Sequence, residues 1–227
     1  KPIFMVSNRV CIWKIIMSDI KAVIKKEYLK CAQDPAYFLK KYAVIQHPIQ
    51  GKIPFSLYDF QEKMVRDFNE HNYNVILKAR QLGISTLTAG YALWMMTFQS
   101  DKNILVIATK QDTAKNLVTK IRVMHANLPS WVKSKCVEDN KLSLRYSNGS
   151  QVKAIASSED AGRSEALSLL IVDEAAFVRN FDELWMGLYP TLSTGGRCIA
   201  LSTPNGVGNW FHRIYSESEN DSNDFFP

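Results

Sequence analysis

The sequence has few cysteines and histidines, and none is spaced as in a metal site or a disulfide framework. Four cysteines, Cys11, Cys31, Cys136 and Cys198, are spread over 227 residues without a Cys-x-x-Cys pair, and the four histidines do not cluster with them. These spacings argue against structural zinc and against a small disulfide-stabilised secreted domain. They favour reduced thiols in a cytosol-like compartment.

The sequence also lacks an apolar run close to the ~20 residues that span a bilayer. The most apolar N-terminal stretch, 10–17, is short and interrupted, and no convincing signal-peptide cleavage site follows it. We therefore expect no membrane partner. Met17 is an alternative start, which would place the residues before it outside the fold.

Composition and length are those of one globular unit with a mildly basic surface. The chain is 46% hydrophobic and 22% charged, with a formal net charge of +6 and a pI near 9.1. This excess suits nucleic acid or an acidic partner, and it suits an ordinary solvated surface equally well. The predicted division is an N-terminal helical region at 1–54, a main domain at 55–216, and a linker or tail at 217–227.

Unbroken apolar runs that alternate with helical segments predict an α/β fold. The runs 104–108, 168–172 and 198–202 show no polar alternation, which is typical of strands buried on both faces of a mostly parallel sheet. A hairpin is predicted around Asn148-Gly149. Other predicted elements are an amphipathic helix at 19–32, a helix capped by Asp34 up to about 44, a loop at 47–54, a helix from about 57 to 71, a helix capped by Asp112 up to about 127, and a last helix at 210–219.

The stretch Asn74 to Thr86 predicts a phosphate-binding loop. A short β-branched run breaks into a polar turn containing Gly83, and a mostly apolar helix follows at 87–98. A buried strand, a tight loop and a helix N-terminus aim backbone N–H groups at a phosphate. An ordinary strand–turn–helix with exposed basic residues fits this stretch alone equally well.

The loop departs from the usual G-x-x-x-x-G-K-[ST] pattern at its lysine. Ile84 follows Gly83 and cannot pair with phosphate, whereas Ser85 keeps the hydroxyl for Mg²⁺. Lys78 stands at the position of the first glycine, with Arg80 two residues on. Our hypothesis is that Lys78 or Arg80 supplies the missing charge by reaching the β- and γ-phosphates of a nucleotide.

Two acids follow the buried run Leu169–Val172. A strand of this kind delivers Asp173 to the carboxyl edge of the sheet, where it would hold Mg²⁺, and Glu174 would polarise the water that attacks the γ-phosphate. Two acids at a strand end are common, but together with a phosphate loop they favour an NTPase. The predicted fold class is therefore an α/β P-loop NTPase of the RecA/ASCE type, with a mostly parallel sheet flanked by helices and a small N-terminal helical region.

Three further features admit two interpretations each. Hydroxyls in Ser202-Thr203-Pro204 would sense the γ-phosphate, or form a capped turn. Tyr58 and Gln61 would stack on and hydrogen-bond a purine, or be a core aromatic and a surface amide. Arg163, in a polar loop, is either solvated or reaches a phosphate in a neighbouring subunit.

Several motifs recur together in the order of a known family. They are Asp34 to Tyr42, Gln46-His-Pro48, Pro54 to Gln61, Ala79-Arg-Gln-Leu-Gly83, Ile171 to Phe177 and Ser202 to Gly206. Over roughly Asp34 to Tyr215 the chain resembles the ATPase domain of the large terminase subunit of tailed bacteriophages, the motor that packages DNA into the prohead.

The resemblance implies a role for each matched position. Tyr58 and Gln61 fall in the adenine-binding motif, and Asp173 and Glu174 match the Walker B acids, with Glu174 as the catalytic carboxylate. Arg163 falls in the loop that supplies an arginine finger to the adjacent subunit. The variant Walker A loop and the coupling motif correspond to Lys78, Ala79, Arg80, Gln81, Leu82, Gly83, Ile84, Ser85 and Thr86, and to Ser202, Thr203 and Pro204.

The resemblance also implies ligands, partners and a location. These are ATP and Mg²⁺, double-stranded DNA, the portal protein and the small terminase subunit, and a ring on the prohead in the host cytoplasm. Large terminases normally continue into a metal-dependent nuclease, whereas this chain ends at Pro227, so we expect ATP hydrolysis without DNA cleavage by this chain. A helicase-like ATPase and a nucleotide-binding assembly module with a degenerate loop are the alternatives.

Overall fold

The computed structural model describes residues 4–156 and 166–227, with side chains from residue 19 onward. Its helices are α1 (Phe4–Gln33), α2 (Pro35–Tyr42), α3 (Asp59–Glu70), α4 (Ile84–Phe98), α5 (Gln111–Ala126), α6 (Phe181–Leu192) and α7 (Trp210–Ser218). Its strands are β1 (Val44–His47), β2 (Gly51–Pro54), β3 (Tyr73–Leu77), β4 (Asn103–Ala108), β5 (Cys136–Asn140), β6 (Ser143–Tyr146), β7 (Gln151–Ala156), β8 (Leu169–Asp173) and β9 (Arg197–Ser202).

Seven of these strands form one mostly parallel sheet in the order β3-β9-β8-β4-β7-β6-β5. The first five are parallel to one another, and β6 and β5 extend the sheet as antiparallel strands. The hairpin predicted around Asn148-Gly149 is confirmed as β6 and β7, whereas β5 was not predicted. Because β9 lies between β3 and β8, the carboxyl ends of three strands that carry predicted site residues lie side by side.

The sheet is buried on both faces, as the unbroken apolar runs predict. Along β4, Ile104 and Val106 belong to the core on one face, and Leu105 and Ile107 to the core on the other. Helices α2 to α5 pack on the first face, and α6 and α7 on the second. Helix α4 is buried almost all round because it lies between the sheet and the N-terminal helices.

The N-terminal region differs from its prediction in two places. The stretch 47–54 was predicted as a loop, but β1 and β2 pair antiparallel from Val44↔Pro54 to His47↔Gly51. Helix α1 starts at Phe4, well before the predicted Asp19. Among the residues that the structure describes, no helix combines the length and the apolar character that a membrane crossing needs.

The start of α5 also differs from its prediction. The predicted cap of α5, Asp112, lies inside its first turn, and Lys110 occupies the N-cap position. The acidic carboxylate still favours that helix end through the helix dipole. Beyond α7 the chain returns to the sheet edge, where Phe225 is buried and Val75 N donates to the Phe226 carbonyl at 2.9 Å.

The phosphate-loop segment between β3 and α4 keeps its shape through a glycine and a buried amide. Gly83, the N-cap of α4, has φ of 73°, a conformation that only glycine adopts without strain. The Gln61 side chain from α3 donates to the Leu82 carbonyl at 2.8 Å and accepts from Tyr58 N at 3.1 Å. A Cβ on Gly83 would come within 2.9 Å of Gln61 Nε2, so the loop and α3 fit only with glycine here.

We expect Gly83→Ala to lower the free energy of unfolding by about 1–3 kcal/mol, because it combines a strained positive φ with a displaced Gln61 amide. Gly51→Ala is the matched control, since Gly51 has φ of 71° and open space around its Cβ position. Chemical denaturation of both variants measures the difference. Equal losses in the two variants would show that Gln61 does not hold the loop.

Candidate active site

A cavity of about 280 Å³ opens beyond the carboxyl end of β3, where the predicted phosphate loop turns into α4. Nine of the described residues line it, of which eight come from this loop and the start of α4 and the ninth comes from α5. They are Lys78, Ala79, Gln81, Leu82, Gly83, Ile84, Ser85, Thr86 and Lys120. The loop therefore encloses a pocket, with the N-terminus of α4 at its wall.

Lys78 links this loop to the strand that carries the predicted acids. Its backbone N–H donates to the Ser202 carbonyl at 2.9 Å, which continues the pairing of β3 with β9. Its side chain is only 9% exposed, and Nζ lies 2.9 Å from Glu174 Oε1 and 4.0 Å from Asp173 Oδ1. A buried cation thus lies between the cavity and both acids.

The two other positions in question at the loop differ sharply from Lys78. Arg80 is exposed and does not line the cavity. Ile84, at the position where the usual pattern has lysine, is the first residue of α4, and its side chain packs into the hydrophobic core. Of the two cations that the sequence left open, Lys78 is therefore the one whose side chain reaches the cavity in this structure.

Asp173 lies beside Ser85, one of the residues that line the cavity. The Lys78 charge and the nearby Ser85 hydroxyl both favour the charged form of the Asp173 carboxyl and lower its pKa. Burial acts in the opposite direction and is the larger effect, so the pKa of Asp173 is raised above its ordinary value. A buried carboxylate beside a hydroxyl gives the hard oxygen ligands that Mg²⁺ prefers, so these residues fit that ion.

Glu174 follows Asp173 in a conformation that is unusual for a residue with a side chain. Its φ and ψ are 56° and 44°, in the left-handed region, which costs of order 1–3 kcal/mol unless the surroundings stabilise it. Its N–H donates to Asp173 Oδ1 at 3.0 Å, and its carboxylate pairs with Lys78. This strain turns the Glu174 carboxylate toward the loop instead of continuing β8.

The predicted coupling motif contacts the acid and the turn that follows it. Thr203 Oγ1 donates to Glu174 Oε2 at 3.3 Å, and Ala176 N donates to Ser202 Oγ at 3.1 Å. Asn205, beyond the exposed Pro204, donates to the Ala176 carbonyl at 3.0 Å. A displacement of the Glu174 carboxylate would therefore directly change the hydrogen bonding at the end of β9.

The two residues predicted to bind a purine lie in different environments. Gln61 is buried, and its amide holds Leu82 and Tyr58 N as described above. Tyr58 is 67% exposed and stacks on Phe60, with ring centroids 5.7 Å apart. The Tyr58 ring is thus accessible to a base, whereas Gln61 acts here as the brace of the loop.

Sequence reasoning missed Lys120, whose side chain enters the cavity from α5. Burial lowers its pKa, and the nearby Asp173 charge acts in the opposite direction. Nothing in the pattern of α5 distinguishes this lysine from its other basic residues, because only the packing of α5 beside α4 brings it to the loop. The predicted Arg163 lies outside the residues that the structure describes.

Comparison with known proteins places this site in a family. The family described as "Terminase large subunit, T4likevirus-type, N-terminal" matches residues 75–223, which is more than half of the chain. This range contains the loop, both acids and the coupling motif.

Solved structures give the same fold at low sequence identity. The large terminase ATPase domain of Thermus phage P74-26 is 22% identical with a TM-score of 0.57, over 71% of this chain and 70% of that one. The HK97 bacteriophage large terminase is 16% identical with a TM-score of 0.69, over 86% of this chain and 43% of that one.

A third similar structure was solved with nucleotide. The large terminase from a thermophilic bacteriophage, in complex with ADP, is 14% identical with a TM-score of 0.61, over 75% of this chain and 44% of that one. The chain thus spans less than half the length of this protein and of the HK97 large terminase. The predicted α/β P-loop fold is confirmed, and the chain belongs to the family of the N-terminal ATPase domain of terminase large subunits.

Proposed function

We propose that this chain is the ATP-hydrolysing motor domain of a DNA-packaging terminase, which couples hydrolysis of Mg-ATP to translocation of double-stranded DNA into a prohead. The observation that carries the proposal is the ion pair of Lys78 with Glu174 at the mouth of the loop cavity. This ion pair brings together Lys78, a cation able to bind phosphate, and Glu174, a carboxylate able to activate water. Membership of the terminase family supports the same conclusion.

ATP would bind with its phosphates in the cavity formed by 78–86. The first N–H groups of α4 have no acceptor within the helix, so they are available to phosphate oxygens. Lys78 would exchange Glu174 for the β- and γ-phosphates, since its stem already lines the cavity. The exposed Tyr58 ring would stack on the adenine.

The metal would be held by Ser85 and Asp173. Bound there, Mg²⁺ would supply positive charge to the β- and γ-phosphate oxygens. The Asp173 carboxylate already lies near the Ser85 hydroxyl and 4.0 Å from Lys78 Nζ. Little rearrangement of these side chains would therefore be needed to bind the ion. A carboxyl whose pKa is raised by burial gains from the arrival of a cation, because the cation favours its charged form.

Glu174 would act as the general base. It would take a proton from a water molecule whose oxygen bonds to the γ-phosphorus, while the bond from that phosphorus to the β–γ bridging oxygen breaks. The products are ADP and inorganic phosphate. In the ion pair with Lys78 the acid is held away from this task, so departure of Lys78 toward nucleotide would release it when substrate is present.

Coupling would run through the contacts of Glu174 with the end of β9. Thr203 bonds to the same carboxylate that would contact the water, and Ser202 holds the N–H of Ala176. Loss of the γ-phosphate would therefore change the bonding of one short segment. Movement of this segment, attached to α7 through Asn205 and Gly206, would be the mechanical output.

We propose double-stranded DNA and the other packaging partners from the family of this chain and from its charge. A formal net charge of +6 suits contact with backbone phosphates, which carry no sequence information. The portal protein, the small subunit and a ring of this chain on the prohead in the host cytoplasm complete the proposal. Within the ring, Arg163 would act on the ATP of a neighbouring subunit.

Ile84 favours a second candidate, a nucleotide-binding assembly module without turnover. Its buried apolar side chain stands where most P-loops place the lysine that stabilises the transition state. Such a module would bind ATP tightly and release no phosphate. The two candidates therefore differ in a single measurable quantity, the phosphate released per bound ATP.

We expect Glu174→Gln to lower ATP turnover about 10²- to 10⁴-fold, because it removes the base but not the phosphate site. Phosphate release and binding of a fluorescent ATP analogue are measured in parallel, with and without DNA. Glu183→Gln, an exposed acid on α6, is the control and should behave as the wild type. Unchanged turnover in the Glu174 variant would reject the hydrolysis proposal, and absence of turnover in the wild type would favour the module.

We expect Lys78→Ala to lower turnover about 100-fold or more, because an interaction with transition-state charge is lost. Lys110→Ala changes an exposed lysine at the N-cap of α5 that does not line the cavity, so its turnover should stay within about a factor of two of the wild type. Removal of one partner from a buried ion pair also destabilises the fold, so thermal unfolding is recorded for both variants. Comparable turnover in the two folded variants would assign the missing charge to Arg80 or another group.

A further inference from the structure

We propose that Lys120, on α5, is a second phosphate-binding lysine of this site, which contacts the nucleotide from a different element than the loop that carries Lys78. The inference rests on the proposed ATP site and identifies a residue that this site uses.

The first support is the position of Lys120. Among the residues that the structure describes, it is the one lining the 280 Å³ cavity that lies outside the segment 78–86. It also borders a second, more apolar cavity with Thr86, Val123 and Met124. Its aliphatic stem thus has apolar neighbours on α5, and the stem leads to the loop near Thr86.

The second support is the absence of a bonding partner. Within the described residues, Lys120 makes no hydrogen bond or ion pair, although Asp173 is close enough to affect its charge. Lys78 and Ser85 already occupy the Asp173 carboxylate. A partly buried ammonium group without a partner is unfavourable, so the site is complete only when an anion enters the cavity.

The third support is the missing lysine of the loop. Ile84 leaves the start of α4 without a cation, and Lys78 stands at the opposite, N-terminal end of the loop. Lys120 approaches Ser85 and Thr86, the other end of the loop. Two lysines from two elements would then flank the phosphates that a single lysine at position 84 would otherwise contact.

The test uses Lys120→Met, which keeps the stem volume and removes the charge, and Lys120→Arg, which restores a cation. Lys115→Met, on the same helix and outside both cavities, is the matched control. Binding of fluorescent ADP and ATP, displacement by unlabelled adenosine, ATP turnover and thermal unfolding are measured for each variant.

We expect Lys120→Met to weaken ADP and ATP binding about 10- to 100-fold, as for loss of a charged hydrogen bond. Adenosine binding should not change, and Lys120→Arg should recover most of the affinity. Without nucleotide, the unfolding temperature should equal or exceed that of the wild type, because an unpaired buried charge has been removed. A purely structural lysine would instead lower it.

Nucleotide affinities in Lys120→Met equal to those in Lys115→Met would overturn the inference. That outcome is separate from failure of the proposed function, which shows as turnover insensitive to Glu174→Gln. If the Met variant does not fold, Lys120→Gln replaces it as the variant without the charge. An ADP affinity in Lys120→Gln equal to that in Lys115→Met then rejects phosphate contact by Lys120.

Discussion

The partly buried ion pair of Lys78 and Glu174 is the interaction on which the candidate site depends. It spans the gap between β3 and β8, two strands that are separated by β9 in the sheet. A side chain that is 9% exposed cannot leave a carboxylate without another anion to bind. In the proposed mechanism the pair would link nucleotide binding in the loop to release of the Glu174 carboxylate. Thr203, which hydrogen-bonds to that carboxylate, would link it to the end of β9.

Two backbone features keep this pair in reach. Gly83 takes a left-handed conformation that lets the loop close over the Gln61 amide. Glu174 adopts the same left-handed backbone conformation, which costs more free energy for a residue with a side chain than for glycine. This conformation turns its carboxylate away from the direction of β8. The sheet supports both, because its parallel strands are buried on either face and end at one edge.

Much of the fold was predictable because its signals are local. Unbroken apolar runs identified β4, β8 and β9, and Asn148-Gly149 identified the hairpin. The β1–β2 hairpin was missed since its proline- and glycine-rich sequence also reads as a loop, and β5 was missed since its exposed strand lacks an apolar pattern. Edge and surface strands are specified by their neighbours more than by their own residues.

The candidate site was predictable in its members but not in its connections. Motif positions identified Lys78, Ser85, Asp173 and Glu174, whereas the choice between Lys78 and Arg80 needed the direction of each side chain. Lys120 left no signal in the sequence, because its role depends on how α5 packs beside α4. Gln61 was predicted from its motif to recognise the base, but its hydrogen bond to the Leu82 carbonyl, which holds the loop, could not be predicted from the sequence.

The most direct measurement is a crystal or cryo-electron microscopy structure of the chain with Mg²⁺ and a slowly hydrolysed ATP analogue. The account predicts that Lys78 Nζ moves from Glu174 Oε1, where it now lies at 2.9 Å, to an oxygen of the β- or γ-phosphate. The Glu174 carboxylate should then face the γ-phosphorus. A structure in which Lys78 stays on Glu174, while Arg80 or no cation contacts the phosphates, would contradict it.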